Sequence, residues 1–538
     1  MNKEIGTTKV VVVGGGTAGW LTACLLAASQ TRSLQVTLVE SPNIATIGVG
    51  EGTWPSMRQT LQKIGIAEST FLLACDAAFK QGSCFDGWCQ TPLSSQNATH
   101  RDRYLHPFSV PAGYPHHDFS SDWFWYQQDV SFADALSPQG RIAQQCRAPK
   151  PLNTAPANAS LNYGYHLDAG KFATLLQKHG TDKLGIKHIL ENIDSVIGDS
   201  NKPIESLITE KGRVIEADLY IDCTGFSGRL IAQHYGAAWN SIESAHINNS
   251  ALAVQVPYST ANAPIESVTK STAQSHGWIW DIGLQSRRGV GLVYSDHFID
   301  DAGAEALLRD YVKQESAVQW ESLSLKPIRF TPGVREAFWV HNCVAIGLSA
   351  GFLEPLEASA IALIETSANF LAENLLPQAA QLDAVAAHYN ETLQYHWQRI
   401  IDFIKLHYVL SKRDDTAYWQ AQTRTDSCSE WLQTRLEIWA HRSPNMYDFP
   451  LMMEMFPAAS WRYIWFGMQR GHFAPNASNS VDLKSRILNN EIVLTEQAQR
   501  HFEQVAKQTR HLMQTLPTHR DWLTQLQNRH GSELSHVR

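Results

Sequence analysis

KVVVVGGGTAGWLTACLLA, residues 9–27, decides the fold. Residues 9–13 (KVVVV) hold four consecutive valines, an apolar β-branched run that predicts a buried strand. Three glycines end it, and the apolar spacing over 17–29 predicts a helix. QVTLVE, residues 35–40, predicts a second strand. Strand, helix, strand is a βαβ unit. Gly14, Gly16 and Gly19 fit G-x-G-x-x-G between the first strand and the helix. Glycines let the chain turn tightly and let a pyrophosphate approach the backbone. The helix start adds N–H donors and the positive end of a dipole. Glu40 ends the second strand 21 residues after Gly19, where a ribose-binding acid belongs. Gly14, Gly16, Thr17, Ala18, Gly19 and Glu40 are therefore candidate dinucleotide contacts. The alternative is a glycine turn without a ligand.

Composition bounds the rest. The chain has 538 residues, 43% hydrophobic and 18% charged, which is globular and long enough for two to four domain-sized units or one large enzyme. Net charge is -8 with no dense Lys/Arg block, which argues against a nucleic-acid partner. The eight cysteines are scattered, without zinc-finger spacing, so no metal site is expected and reduced thiols in a cytoplasmic protein are. The N-terminus enters a strand without a signal-peptide pattern, and the apolar run 18–28 is too short to span a membrane. Seventeen tryptophans are many, and suit either an aromatic-lined cavity or core filling.

Further along, 43–57 reads as a Gly-rich loop and 69–80 as a helix, capped by Ser69 or Thr70 and stopped by Gly82. Residues 90–160 read as a long irregular region, the kind that often forms binding loops. A helix is predicted over 166–180, an antiparallel meander over 186–224, and a second sheet over 245–295. CVAIG (343–347) reads as a last short strand and 356–375 as a long helix. From 383 onward the periodicity is helical. The division expected is 1–382, a nucleotide-binding domain with a substrate-side sheet, and 383–538, a helical subdomain covering the substrate chamber. The fold class is α/β: a Rossmann-like βαβ domain of the flavin-monooxygenase type, a second β-sheet, and a mostly helical C-terminal subdomain.

ADLYIDCTGFSG (217–228) and VAIGLSAGFLEPLE (344–357) favour FAD over NAD: a strand ending in D-C-T-G resembles the second nucleotide-contacting strand of flavoprotein monooxygenases. In those enzymes the later segment usually carries an Asp where Leu348 stands here. Seven stretches then converge: GGGTAGW (14–20), IGVGEGT (47–53), CDAAFKQG (75–82), YHLDAGKF (165–172), IDCTGFSG (221–228), GWIWDI (277–282) and GLSAGFLEPLEAS (347–359). On these the chain resembles the flavin-dependent tryptophan halogenases over nearly its whole length.

The resemblance implies an enzyme that uses reduced FAD, O2 and chloride or bromide to form hypohalous acid, which then halogenates an electron-rich, indole-like arene. Lys80 matches the catalytic lysine and Glu357 the glutamate. Ser359 and Ala360 match the halide-binding pair. Residues 46–53 match the strap linking flavin and substrate sites, and Gly50, Val196, Leu348 and Ile361 are further flavin contacts. His106 and Phe108 in YLHPF match the indole-sandwiching pair. The C-terminal wall fits less well: Met455 and Phe456 stand where the family carries a Phe-Trp pair, so Phe456 and Trp461 are candidate substrate contacts there, with Tyr463 and Trp465 as further lining residues. Trp278 and Trp280 match the barrier that keeps flavin and substrate apart. With no second G-x-G-x-x-G for NAD(P)H, a separate flavin reductase is implied as partner. A homodimer is left open.

The chemistry suits the residue types. An ammonium can hold hypohalous acid beside an arene, and its amine form could make a haloamine. A carboxylate can stabilise the cationic ring and take its proton. A helix start favours an anion. Taken singly, each residue has a bland reading. Lys80 at a helix C-terminus would complement the dipole, Glu357 in a first turn would be capping chemistry, and YLHPF would be a loop anchor. Two departures stand out. The family signature usually ends Ile-Pro, but here Gly283 follows Ile282, which predicts a looser strand end. MMEMFPAASWRYIWFGM (452–468) shows no clear clamp for an amino acid's ammonium and carboxylate, which leaves free tryptophan open as substrate. The alternatives are a flavin monooxygenase that hydroxylates an aromatic substrate and a non-catalytic flavin-binding protein.

Overall fold

The computed structural model describes residues 7–29, 34–44, 50–90, 102–126, 129–315, 318–375, 382–468 and 495–530. Strap residues 46–49 lie outside them. The chain forms two compact units, each built from three separate segments. The first takes 1–77, 164–243 and 329–398, and the second 78–163, 244–328 and 399–538. The chain leaves the first unit after Ala77 and returns to it at Gly164.

The first unit is an α/β nucleotide-binding fold. Its six-stranded sheet runs Trp339–Val340, Cys343–Ala345, Leu219–Asp222, Thr8–Val13, Leu34–Glu40 and Lys187–Leu190, with every pairing parallel but the first. Val10 to Val13 are central and buried, as a strand without polar alternation must be. The helix Thr17–Ala27 is apolar on all sides and buried from Gly19 to Leu26. It packs between the helices Ala169–Asp182 and Ala360–Asn374. Residues 186–224 are only partly the expected meander: Lys187–Leu190 joins the parallel sheet, while Ile193–Ile197, Ser206–Thr209 and Val214–Ile215 pair antiparallel.

The second unit holds a seven-stranded sheet ordered Leu325–Arg329, Ser250–Pro257, Arg287–Tyr294, Gly277–Gly283, Thr269–Gln274, Gly82–Asp86 and Arg103–Pro107. The helix Asp301–Glu315 covers one face, with Leu308 and Val312 packed on Leu252, Ile279 and Leu292. The region read as irregular carries the edge strand Arg103–Pro107 and the helices Ser120–Tyr126, Phe132–Leu136 and Gln139–Gln144. These elements are too short for a periodicity to show. Beyond residue 399 the described elements are all helical. Among the described residues no helix is long and apolar enough to cross a membrane, and no group of His, Cys, Asp or Glu is set to hold a metal ion.

Candidate active site

In the first unit the glycine loop has the shape a dinucleotide needs. Gly14 has a φ of 115°, and a Cβ on it would meet the Cys223 carbonyl at 2.2 Å. A Cβ on Gly19 would lie 1.8 Å from the Gly14 oxygen, so only glycine lets the helix start close on the loop. Gly16 caps that helix without a side-chain hydrogen bond, and a Cβ there would meet nothing within 4 Å. Thr17 and Ala18 open a helix that no side chain caps, with room beside Gly16, which fits a pyrophosphate. Glu40 lies across the loop, its carboxylate where a Cβ on Gly15 would fall. His188 Nε2 meets Glu40 Oε1 at 2.7 Å. Burial pushes the Glu40 carboxyl up, and His188 opposes that shift. His188 was missed in the sequence because only strand pairing brings it there.

Asp222, in the D-C-T-G segment, is fully buried and works locally. It accepts from Thr224 Oγ1 (2.6 Å) and from the N–H groups of Thr224, Leu230 and Ile231 (2.9, 2.8 and 2.9 Å). Leu348 lies in the one-turn 3-10 helix Gly347–Ser349, and Ile361 in the first turn of Ala360–Asn374. Val196 sits mid-strand, paired with Leu207. Gly50 opens the strand Gly50–Gly52, which pairs with Gly164–Asp168. Glu51 in that strand is pushed up to about 7 by burial and then by Asp168.

Glu357 corrects the expectation of a helical first turn. It has φ 68°, and Ala358 has φ 54°. Two consecutive left-handed non-glycine residues cost on the order of 1–2 kcal/mol each, a strain that usually marks function. The Trp54 indole N–H donates to the Glu357 carbonyl at 2.9 Å and holds the turn. Ser359 is the N-cap of Ala360–Asn374 and offers it no side-chain cap, so the first-turn N–H groups are available to an anion. One turn on, Glu365 is buried and accepts from Ser56 (2.8 Å) and Thr60. Burial pushes its carboxyl up to about 7.

In the second unit, Lys80 also departs from expectation. The helix spans Glu68–Ala74, with Ala67 as N-cap rather than Ser69 or Thr70, and Lys80 ends the strand Ala78–Lys80. No helix C-terminus is there to explain the lysine. Its side chain is fully buried, with Nζ 5.5 Å from the centre of the Phe108 ring. Phe108 is fixed through its backbone, N–H to the Gln81 carbonyl (3.0 Å) and C=O from Asn162 Nδ2 (3.0 Å).

His106 points into an aromatic group: Phe403 at 5.7 Å, Tyr463 at 6.1 Å and Phe456 at 6.3 Å between ring centres. Phe403 and Phe456 stack at 3.8 Å. Trp461 packs edge-on to Phe403 and against Trp431, Trp439 and Phe449, and its N–H donates to the Phe456 carbonyl. It backs Phe456 rather than presenting a free face. Tyr463 donates to the Ser109 carbonyl. Phe403 was missed because its place depends on the long helix Leu382–Val409.

Trp278 and Trp280 share one face of their strand, ring centres 6.4 Å apart. Trp278 meets Trp88, and Trp280 lies over Gly291, where a Cβ would sit 2.1 Å from its ring. The opposite face holds Ile279 in the core and Asp281, which takes Arg288 Nε at 3.0 Å and the Tyr311 hydroxyl at 3.0 Å. Gly283 does not loosen the strand: pairing continues through Gly283 and Arg288, and a Cβ on Gly283 would press on Glu266 and Ile265 at 3.1 Å.

The family model described as tryptophan halogenase matches residues 9–481. The chain belongs to the tryptophan halogenase family. It is 31% identical to the tryptophan 6-halogenase SttH of Streptomyces toxytricini, over 97% of this chain and 98% of that one. Among solved structures, a tryptophan halogenase from Shewanella frigidimarina is similar at 43% identity and a TM-score of 0.88, over 97% of each chain. Xcc4156, a flavin-dependent halogenase from Xanthomonas campestris, is similar at 31% identity and a TM-score of 0.80, over 96% of this chain and 98% of that one. The chain is thus a flavin-dependent halogenase that uses FAD and halide. Lys80 belongs to the second unit, and Glu357, Ser359 and Ala360 to the first.

Proposed function

We propose that this halogenase acts on an electron-rich, indole-like arene, with Lys80 and Glu357 as its catalytic residues. The observation that carries the reading is the strained Glu357 turn leading into an uncapped helix start at Ser359 and Ala360. FAD, when bound in reduced form, supplies with O2 the oxidising equivalents that turn halide into hypohalous acid. Gly14, Gly16, Thr17, Ala18, Gly19, Glu40, Gly50, Val196, Leu348 and Ile361 would hold it. The open cradle at Gly16 and the closed contacts at Gly14 and Gly19 support that fit.

The chain's own groups do the rest. Backbone N–H groups at Ser359 and Ala360 hold chloride or bromide. The Lys80 ammonium donates to hypohalous acid and polarises it towards the ring. The Glu357 carboxylate stabilises the ring cation and accepts the proton the halogen replaces. His106, Phe108 and Phe456 offer π faces to a planar substrate, and Phe403 joins them. Trp278 and Trp280 exclude the substrate from the flavin by bulk. A separate flavin reductase supplies reduced FAD by diffusion.

The test incubates the protein with reduced FAD, O2, chloride or bromide, and a panel of indole, indole-3-propionate and L-tryptophan. Mass spectrometry should show hydrogen replaced by halogen, with indole at least as good as L-tryptophan because the described wall is aromatic. A product gaining only oxygen would instead indicate a hydroxylase. Lys80→Ala should lower arene halogenation at least 100-fold while flavin oxidation continues. Halogenation retained in that variant would sink the role of Lys80.

A further inference from the structure

The strand that carries Lys80 is held by a closed ring of hydrogen bonds reaching to the last described helix, His519–His530. The Phe79 N–H donates to His519 Nε2 at 2.8 Å. A backbone N–H can only donate, so this nitrogen carries no proton. The imidazole is fully buried, and burial pushes it down to about 3, so it is neutral and its proton sits on Nδ1. Nδ1 lies 3.1 Å from Ser267 Oγ and 3.3 Å from the Ile265 carbonyl. Ser267 Oγ in turn donates to the Arg147 carbonyl at 3.0 Å. The ring closes through the backbone: the Gln81 N–H donates to the Ser267 carbonyl at 2.7 Å. Residues 79 and 81 are both pinned, one by the imidazole and one by the serine that the imidazole touches.

Packing reinforces the polar ring. Phe79 stacks on His519 at 5.4 Å and meets Trp522 of the same helix edge-on at 4.8 Å. Tyr163 meets another edge at 5.0 Å. Lys150, also buried, has Nζ 5.3–5.7 Å from the Phe79, Tyr163 and Trp522 ring centres. With Phe79 locked on one side of the strand, Lys80 is directed to the other, toward Phe108.

We infer that His519 is a positioning residue for Lys80: its neutral Nδ1–H tautomer accepts the Phe79 N–H, grips Ser267, and so fixes the backbone from which the lysine reaches the arene. The inference rests on the proposed role of Lys80. It makes the helix His519–His530 part of the transfer machinery, although its residues lie more than 400 positions from the lysine.

The test separates hypohalous acid production from its delivery. Monochlorodimedone traps released hypohalous acid, and halogenated indole reports delivery. His519→Ala should lower indole halogenation about tenfold or more with flavin oxidation unchanged, and the trapped fraction should rise. Two polar variants divide the ring's nitrogens. His519→Gln places an amide oxygen near the Nε2 position and should recover a large part of delivery. His519→Asn reaches only the Nδ1 position and should not. A merely structural role would move flavin oxidation, trapping and delivery together and would not separate Gln from Asn. Ser267→Ala, probing the ring from its other side, should lower delivery about threefold. Wild-type delivery in both His519→Asn and Ser267→Ala overturns the inference. Lys80→Ala runs alongside: if it retains halogenation, the role of Lys80 itself fails, whereas its loss with normal His519 variants defeats only the positioning role.

Discussion

At the scale of single residues, the informative departures are those where the backbone does something its sequence does not announce. Glu357 is the clearest. In the sequence it stands where a helix would begin, yet it is held left-handed, with its carbonyl tied to the Trp54 indole. Trp54→Phe keeps an aromatic side chain and removes that bond. A lost hydrogen bond to a buried carbonyl costs about 1 kcal/mol. If the turn relaxes by that amount, arene halogenation should fall about fivefold while flavin oxidation and folding persist. Steady-state rates of the two reactions check this, and equal falls in both would show that Trp54 does not act through Glu357. Lys80 teaches the converse. Its bland explanation needed a helix end, and the helix stops six residues earlier.

At the scale of elements, the strand Gly277–Gly283 was legible because period two is local: both tryptophans share a face, and Asp281 faces the other way. The helix 69–80 was misread because Ala77, Ala78 and Phe79 suit a buried helix or a buried strand equally, and pairing rather than propensity made Ala78–Lys80 a strand. The link between Ser56–Ile64 and Ala360–Asn374 was invisible, since Glu365 gains its meaning only from Ser56 and Thr60. It carries a pH signature. The folded carboxyl is raised from 4.5 to about 7 by burial, so the folded state keeps a proton that the unfolded state releases between those values. Stability contributed by this group therefore falls as pH rises from about 4.5 to about 7, and levels off above. Glu365→Gln, which resembles the protonated form, should gain on the order of 2 kcal/mol at pH 8 and nothing near pH 4.5. Urea unfolding of both proteins across that range measures the difference, and a gain that does not shrink toward low pH would refute the assignment.

At the scale of the molecule, all eight cysteines are free thiols, six of them buried, with Cys89 and Cys146 partly exposed. Burial pushes Cys24, Cys84 and Cys146 up to about 12. An aromatic disulfide reagent at pH 8 should label at most one or two thiols quickly in the native protein, Cys89 first, and all eight in guanidinium. The thermal midpoint should not change with added reductant. Rapid labelling of five or more would show that these sulfurs are open to solvent rather than buried.

The sequence by itself determined the βαβ unit, the glycine cradle, Glu40 and the tryptophan pair, because each depends on neighbours within about 30 residues and on one repeating period. Tertiary structure alone decided the rest: His188 on Glu40, Phe403 on Phe456, the left-handed Glu357 turn, and His519 under Phe79. Each of these joins segments scattered along the chain, or stores strain that surrounding contacts must hold. No local propensity encodes a partner that arrives from the far end of the sequence.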